Sequence, residues 1–204
     1  MPQRLTPWLL LLLGCALTPL GAGQLPHEQQ QETRYPFELT ADEIRQARVL
    51  AENGPGLSHG KTVFVKIELL PDVQAETTQR QVMVTHYRYE NDETLSTFVD
   101  LKLNTVMKVE IQVHAPTALA AEEKVLVEKL ARADAQLAGL FITHGAQLRV
   151  EMRPTQPASE QSPLFGHRLA LLHFGVGDGY LPDPEVIVDL TTEQVHLTQT
   201  QSQR

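Results

Sequence analysis

Apolar and polar residues alternate along several stretches of the chain. From 105 to 113 the two sets are Met107, Val109, Ile111 and Val113 against Lys108, Glu110 and Gln112. From 63 to 69 they are Val63, Val65, Ile67 and Leu69 against Phe64, Lys66 and Glu68. A period of two residues is typical of a strand with one buried face. With similar stretches at 80–90 and 95–101 and short links between them, the pattern predicts a four-stranded antiparallel meander.

A helix is predicted immediately before this meander. Thr40 can cap its first turn, and Glu43, three residues later, completes a capping box. The apolar positions of the helix are Ile44, Ala47 and Leu50. They form one stripe that needs a sheet to cover it. The helix is expected to end at 53–56, which reads Asn-Gly-Pro-Gly.

The second half of the chain changes to a helical period and then returns to strands. Pro116 opens a helical stretch that we expect to break at Ala133-Asp134 and to end at His144-Gly145. Its apolar positions are Leu119, Val125 or Leu126, Leu130 and Leu137, and its charged face carries Glu122, Glu123, Lys124 and Glu128. A brief strand is predicted at 148–152, a linker at 154–164 and one hairpin at 165–198. Because a lone hairpin is marginally stable, it must dock on the body, extend its sheet or pair with another chain.

The first 23 residues have the three parts of a secretory signal peptide. Arg4 precedes the apolar run Trp8–Leu17, and the small residues Gly21–Gly23 follow. Residues 24–34 form a polar, Gln-rich leader that we expect to be disordered, and residues 199–204 form a polar tail. The pattern predicts export to the periplasm.

The signal segment leaves two interpretations open. One is cleavage near Ala22 or Gly23. The other is lipidation, because Leu12-Leu13-Gly14-Cys15 resembles the lipobox of bacterial lipoproteins, in which the cysteine is acylated. In the second case Cys15 would anchor the chain to an envelope membrane, and no other membrane contact is expected. Cys15 is the only cysteine of the chain, so no disulfide is predicted.

Composition narrows the classes of partner. The chain has 204 residues, with 17 Lys and Arg against 25 Asp and Glu and a net charge of −8. Binding to nucleic acid requires clustered cations, and this sequence has no basic run. We therefore expect no nucleic-acid partner.

Candidate catalytic and metal-binding residues are scattered. Eight histidines occur, and no two have the short spacing of paired metal ligands. His144 beside Gly145 is interpreted as a cation at a helix end. Asp100 and Asp189 each end a strand and are expected to cap the following turn. No Gly-x-Ser-x-Gly elbow is present. The sequence therefore predicts no catalytic residue, no metal ligand and no cofactor.

Several motifs in a fixed order resemble the small N-terminal domains of copper amine oxidases. They are Tyr35-Pro36, Leu39–Ile44, Val99–Leu101, Pro116, Glu122-Glu123, Arg132–Asp134, Arg168-Leu169, Pro184 and Val188–Leu190. Residues 35–153 resemble the second N-terminal domain of that family, and residues 165–198 resemble the start of the third. The resemblance implies an α+β, cystatin-like fold. In it an N-terminal helix packs on a four-stranded, coiled antiparallel sheet, followed by helices and an extra C-terminal hairpin.

The sequence departs from the family in its chemistry. Family members carry copper-binding histidines, a topaquinone-forming tyrosine in an Asn-Tyr-Asp/Glu motif and a catalytic base in a large C-terminal domain. This sequence has no Asn-Tyr pair and no His-x-His pair. We therefore expect a non-catalytic exported domain that acts in binding or assembly, with an envelope protein as its partner, either an amine oxidase or a second copy. The alternative hypothesis is a periplasmic carrier of a small ligand or of copper.

Overall fold

The computed structural model describes residues 38–57, 60–71 and 80–198. The predictions for the signal segment with Cys15, the leader and the polar tail lie outside the described residues. The described residues all belong to one compact unit, 37–204. The helices are α1 (Ala41–Glu52), α2 (Ala121–Ala133) and α3 (Ala138–His144), followed by a 3-10 turn at Gly145–Gln147. The strands are β1 (Thr62–Leu69), β2 (Gln81–Arg88), β3 (Glu93–Asp100), β4 (Thr105–Val113), β5 (Leu148–Thr155), β6 (Leu169–Val176), β7 (Gly179–Tyr180), β8 (Glu185–Asp189) and β9 (Gln194–Thr198).

Helix α1 begins at the predicted capping box. The backbone N–H of Glu43 donates to Thr40 Oγ1 at 3.3 Å, and the N–H of Thr40 donates to Glu43 Oε2 at 2.8 Å. These bonds satisfy two donors that the first turn would otherwise leave free. At the other end, Asn53 Nδ2 donates to the carbonyl of Val49 at 2.8 Å. The predicted start and end of α1 are confirmed.

Strands β1 to β4 form the first sheet in sequence order, with every neighbouring pair antiparallel. Ala47 and Ala51 of α1 are fully buried against Val82, Val84 and Val99 of β2 and β3. Two alanines at the contact allow the helix to approach the sheet closely. The predicted packing of an N-terminal helix on a four-stranded antiparallel sheet is therefore confirmed.

A bulge in β1 changes which of its side chains share a face. The pairing with β2 shifts between Phe64 and Lys66, which leaves Val65 as the extra residue. After a bulge the alternation of faces is offset by one residue. Phe64, Ile67 and Leu69 consequently pack beneath α1, whereas Val63 and Val65 pack in the core on the other side of the sheet. The prediction that Val63, Val65, Ile67 and Leu69 share one face is wrong.

Strand β4 is an edge strand and is much more exposed than its alternation predicted. Met107, Ile111 and Val113 are 51%, 48% and 55% exposed. The turn after α1 reaches β4 only near Val106 and Val109, where β-carbons on Gly54 and Gly56 would each lie 3.3 Å from a valine methyl. The segment after α1 therefore does not cover the C-terminal half of β4.

A second sheet has the order β5-β6-β8-β9, with β7 paired to β6. The prediction of one hairpin at 165–198 is wrong, because this segment supplies four strands and β5 adds a fifth. The predicted strand at 148–152 is confirmed and extends to Thr155, inside the segment predicted as a linker. Leu148, Val150 and Met152 turn their apolar faces toward the core shared with Phe174. The architecture is α+β with two antiparallel sheets.

Helix α2 packs the predicted Leu126 and Leu130 against the core, so the predicted stripe is confirmed at these positions and wrong at Val125. Val127 and Ala131 are fully buried, and Val125 is 70% exposed. Glu123, which we predicted on the charged outer face, is 2% exposed. The reason is an ion pair with Arg168, 45 residues later in the chain, which holds the Glu123 carboxylate inside. In the described ranges, no helix is both long and apolar enough to cross a membrane.

Candidate functional site

A buried ion pair joins α2 to the residue that precedes β6. Arg168 Nε donates to Glu123 Oε1 at 3.0 Å, and Arg168 Nη2 donates to Glu123 Oε2 at 2.9 Å. The hydroxyl of Tyr89, on β2, donates to Glu123 Oε1 at 2.7 Å. The backbone N–H of Ala120 donates to Glu123 Oε2 at 2.7 Å. One carboxylate thus accepts bonds from the first sheet, from its own helix and from the second sheet.

The guanidinium of Arg168 is also held by backbone groups. Its Nη1 donates to the carbonyl of Thr117 at 3.0 Å, and its Nη2 donates to the carbonyl of Ala118 at 2.6 Å. The Tyr87 ring centre lies 4.3 Å from the guanidinium carbon, within cation–π range. Arg168 therefore fixes the segment before α2 onto both sheets. We call Tyr89, Glu123 and Arg168 the buried joint.

A second polar chain runs from Tyr87 toward the surface. The Tyr87 hydroxyl donates to Asp92 Oδ1 at 2.7 Å, and Asp92 Oδ2 lies 2.9 Å from His114 Nδ1. Burial, together with the neighbouring carboxylates, raises the pKa of both Tyr87 and Tyr89 above its ordinary value. Both phenols are therefore neutral and act as hydrogen-bond donors, which suits a structural role and not a general base.

His167 and Asp189 form another His–Asp pair, with 2.7 Å between His167 Nδ1 and Asp189 Oδ2. Burial alone would raise the pKa of Asp189, but hydrogen bonds from Thr192 and His167 outweigh it and lower the pKa. The Thr192 hydroxyl donates to Asp189 at 2.7 Å and not to the imidazole. A catalytic triad requires the hydroxyl on the imidazole. The hydrogen bonds of the His167–Asp189 pair are therefore those of a turn cap.

The two aspartates that we expected to cap turns do so. Asp100 Oδ1 accepts from the N–H groups of Lys102 and Leu103, both at 2.9 Å. Asp189 Oδ1 accepts from the N–H groups of Thr191 and Thr192 at 2.8 and 3.2 Å. Each carboxylate satisfies the first donors of a turn that follows a strand.

The histidines are dispersed over the molecule. Over residues 38–57, 60–71 and 80–198, no three His, Cys, Asp or Glu side chains converge as metal ligands would. His144 ends α3, as predicted. His27 and His59 lie outside the described residues.

Among the described histidines, His86 has the most unusual surroundings, and no sequence pattern predicted them. It is 2% exposed beneath α1, and neither ring nitrogen has a hydrogen-bond partner. The Phe64 ring lies edge-on to it, with 5.7 Å between the ring centres. Burial lowers the pKa of His86, so the imidazole is neutral at physiological pH.

Sequence reasoning also missed the buried joint. Arg168 is a single cation directly before the apolar run Leu169–Leu172, and that position was its one local signal. Glu123 had no such signal, since acidic residues in the first turn of a helix are common at the surface.

Two shallow cavities lie at the surface of the described part of the chain. One, of about 260 Å³, lies where the loop after β5 covers Leu169 and Ile187. The other, of about 350 Å³, lies beside Lys124, Val125 and Met152 on the outside of α2. Neither combines its apolar wall with a cluster of convergent charged groups, which a specific small-molecule site usually has.

Of the eight large apolar side chains that are exposed in the described part of the chain, three lie on β4. We call Met107, Ile111 and Val113, with Lys108 and Glu110 between them, the β4 surface. Lys108 Nζ lies 2.6 Å from Glu110 Oε1 and 4.1 Å from the centre of the Phe98 ring. Large apolar side chains exposed along a strand edge are typical of an interaction surface.

Comparison with known proteins gives a likeness of fold. No family model matches the sequence, and no curated protein matches it. A solved structure of a copper-containing benzylamine oxidase from Hansenula polymorpha matches with a TM-score of 0.50 and 14% sequence identity. The match covers 79% of this chain but only 29% of that enzyme. The chain therefore resembles part of that enzyme weakly, in fold.

Proposed function

We propose that this chain is an exported, non-catalytic module that acts by binding or assembly. The observation that carries the proposal is how the polar and apolar groups are distributed. Among the described residues, the buried carboxylates and Arg168 are bonded to neighbouring side chains or to backbone groups, while large apolar side chains lie exposed on β4, whose outer edge pairs with no described strand. Large apolar side chains exposed along a strand edge are typical of binding surfaces.

We also propose that the module is related in fold to the N-terminal domains of copper amine oxidases. In this assignment residues 35–153, with α1 on β1–β4, resemble the cystatin-like second N-terminal domain, and residues 165–198, with β6–β9, resemble the start of the third. The likeness in fold to the benzylamine oxidase supports this assignment. Export to the periplasm rests on the sequence of residues 1–23, with lipidation of Cys15 as its alternative form.

The non-catalytic part of the proposal has a direct test. The purified chain, incubated with benzylamine and copper, should produce no hydrogen peroxide above a heat-denatured sample. Amine-dependent peroxide that is abolished by heating would overturn this part.

The binding part is tested by photo-crosslinking in cells. A photoreactive phenylalanine analogue at Ile111 places the probe on the β4 surface, and the same analogue at Val125 is the matched control. Val125 is 70% exposed but lies on α2. We expect a discrete adduct from position 111 and none from position 125. No adduct from position 111, or the same adducts from both positions, would contradict the proposal.

A further inference from the structure

We propose that β4 pairs antiparallel with β4 of a second copy of this chain, around a two-fold axis at Val109. Pairing in this way joins the two four-stranded sheets into one sheet of eight strands. This inference rests on the proposed binding function and names its partner. It follows from the position of β4, its exposed side chains and its charges.

Strand β4 lies at the edge of the first sheet in the part of the chain that the structure describes. It pairs with β3 on one side, and none of the strands that the structure describes pairs with its other side. The strand has nine residues, and its pairing with β3 shifts at Met107, so the regular part of its outer edge runs from residue 108 to residue 113. An added strand satisfies the N–H and C=O groups of such an edge directly, and this is a common mode of protein association.

The sequence of β4 is complementary to itself in the antiparallel direction. With the axis at Val109, Lys108 of each copy lies opposite Glu110 of the other. Ile111 of each copy then lies next to the bulged Met107 of the other. Side chains directly opposite each other across an antiparallel pair interact, and opposite charges there are favourable. Pairing therefore brings opposite charges together on both sides of Val109 and brings Ile111 of each copy against the partner strand.

The charges also select the register. Directly opposite residues must point to the same side of the sheet, so the two-fold axis must pass through a single residue. An axis at Lys108 would place the two lysines opposite each other, and an axis at Glu110 would do the same with the glutamates. Val109 is the central position at which both charges meet an opposite one.

A charge pattern that prevented self-pairing would look different. Natural edge strands are protected by charges that repel an incoming copy, by proline, by a covering segment or by a β-bulge. The bulge of β4 lies at Met107, outside the three central positions 108–110 that carry the charges. Two like charges either side of Val109 would repel in the central register. One lysine and one glutamate produce two attractive contacts, and β4 contains no proline. This complementarity favours a second copy over an unrelated strand as the occupant.

Charge reversal tests the pairing and its register together. Lys108→Glu makes both central positions acidic, and Glu110→Lys makes both basic. The parent chain should dimerise in analytical ultracentrifugation at low salt, and each single variant should dimerise about tenfold more weakly or not at all. The double variant K108E/E110K should regain the dimer. An equimolar mixture of the two single variants should form a heterodimer, because every central contact is then between opposite charges.

The control variant is Glu128→Lys, which reverses an exposed charge on α2 and should leave the dimer unchanged. A second measurement is disulfide formation by Val109→Cys in a Cys15→Ser background. Opposed residues in antiparallel strands have Cα atoms about 4.5–5.5 Å apart, within disulfide range. We expect a covalent dimer from this variant on mild oxidation and none from Val125→Cys.

The outcomes separate this inference from the proposed function. A parent chain that stays monomeric at all concentrations overturns the pairing, as does a dimer that is insensitive to both charge reversals. In the crosslinking experiment, an adduct of Ile111 with a different protein would overturn the pairing and leave the binding function in place. An adduct of twice the chain mass supports both.

Discussion

At the scale of single residues, Arg168 is the buried cation that neutralises the buried carboxylate of Glu123. A guanidinium has five N–H donors in a planar fork, and four of the bonds given above use them. Its flat face also lies on the Tyr87 ring. A lysine at this position has neither the fork nor the flat face, so the two side chains are not interchangeable here.

Arg168→Met should destabilise the chain by about 3–5 kcal/mol, because it leaves the Glu123 charge buried without a partner. Urea unfolding at neutral pH measures this. The matched control is Arg132→Met, which breaks the exposed pair with Glu128 and should cost no more than about 1 kcal/mol.

Adding Glu123→Gln to Arg168→Met separates the buried charge from lost packing. The amide oxygen of glutamine can still accept from Ala120 N–H while the uncompensated charge is gone. The double variant should therefore be more stable than Arg168→Met alone. A double variant that is less stable would show that the charge is not the cause.

His86 predicts a pH dependence of stability near pH 6. Burial lowers its folded-state pKa below the unfolded value of about 6.5, so the unfolded chain binds more protons as the pH falls through that value. Stability contributed by neutral His86 is complete above pH 6.5 and is lost below it. The charged groups that act on His86 are Glu52 and Arg48, both on α1.

His86→Leu should remove this loss, so the stability of the variant relative to the parent should increase as the pH is lowered from 7 to 5. Replacing an unpartnered buried imidazole by an apolar side chain should also cost little at pH 7. Thermal unfolding at several pH values gives the comparison, with His144→Gln as the control. Parallel pH profiles for His86→Leu and the parent would refute the argument.

At the scale of elements, α1 depends on one side chain for two contacts. Glu43 completes the capping box and also pairs with Arg80, at the start of β2. The hydrogen bond with Arg80 is the largest contribution, and it lowers the pKa of Glu43 from 4.5 to about 2. The helix is thereby joined to the sheet at its first turn as well as through Ala47 and Ala51.

Glu43→Gln should cost about 1–2 kcal/mol at pH 7, a value reduced for the partial exposure of the pair. A carboxyl group with a lowered folded-state pKa stabilises the fold above its unfolded pKa. That stability is lost as the pH falls from about 4.5 to about 2. Denaturant titrations at pH 7, 4 and 2.5 should show the difference between the variant and the parent disappearing with acid. A constant difference across this range would contradict the assignment.

The helices and strands that could be predicted are those whose sequence signal, such as a capping box or an alternation, spans only a few neighbouring residues. The Thr40–Glu43 box placed α1, and the period of two placed β1–β4 and β5. The partner of β5 was not predictable in this way, because Thr155 and Leu169, its nearest paired residues in sequence, are separated by a loop that reads as a linker. The buried joint could not be predicted for the same reason, because Glu123 and Arg168 come into contact only in the folded chain.

At the scale of the whole molecule, the two sheets share a core. Val63, Tyr87 and Tyr89 of the first sheet belong to the same buried cluster as Leu172 and Phe174 of the second. The buried joint crosses the same boundary. We therefore expect the sheets to unfold together, although the pattern of motifs divides the chain into two segments.

Native-state hydrogen exchange at increasing denaturant measures this coupling. In the parent chain, amides in the middle of β2 and of β6 should exchange with the same opening free energy, that of global unfolding. In Arg168→Met the joint is broken, so the two strands should exchange with different opening free energies, while Arg132→Met should keep them equal. Unequal values in the parent chain would mean that each sheet is its own cooperative unit. The shared cluster around Tyr87 and Phe174 would then contribute less to stability than its burial implies.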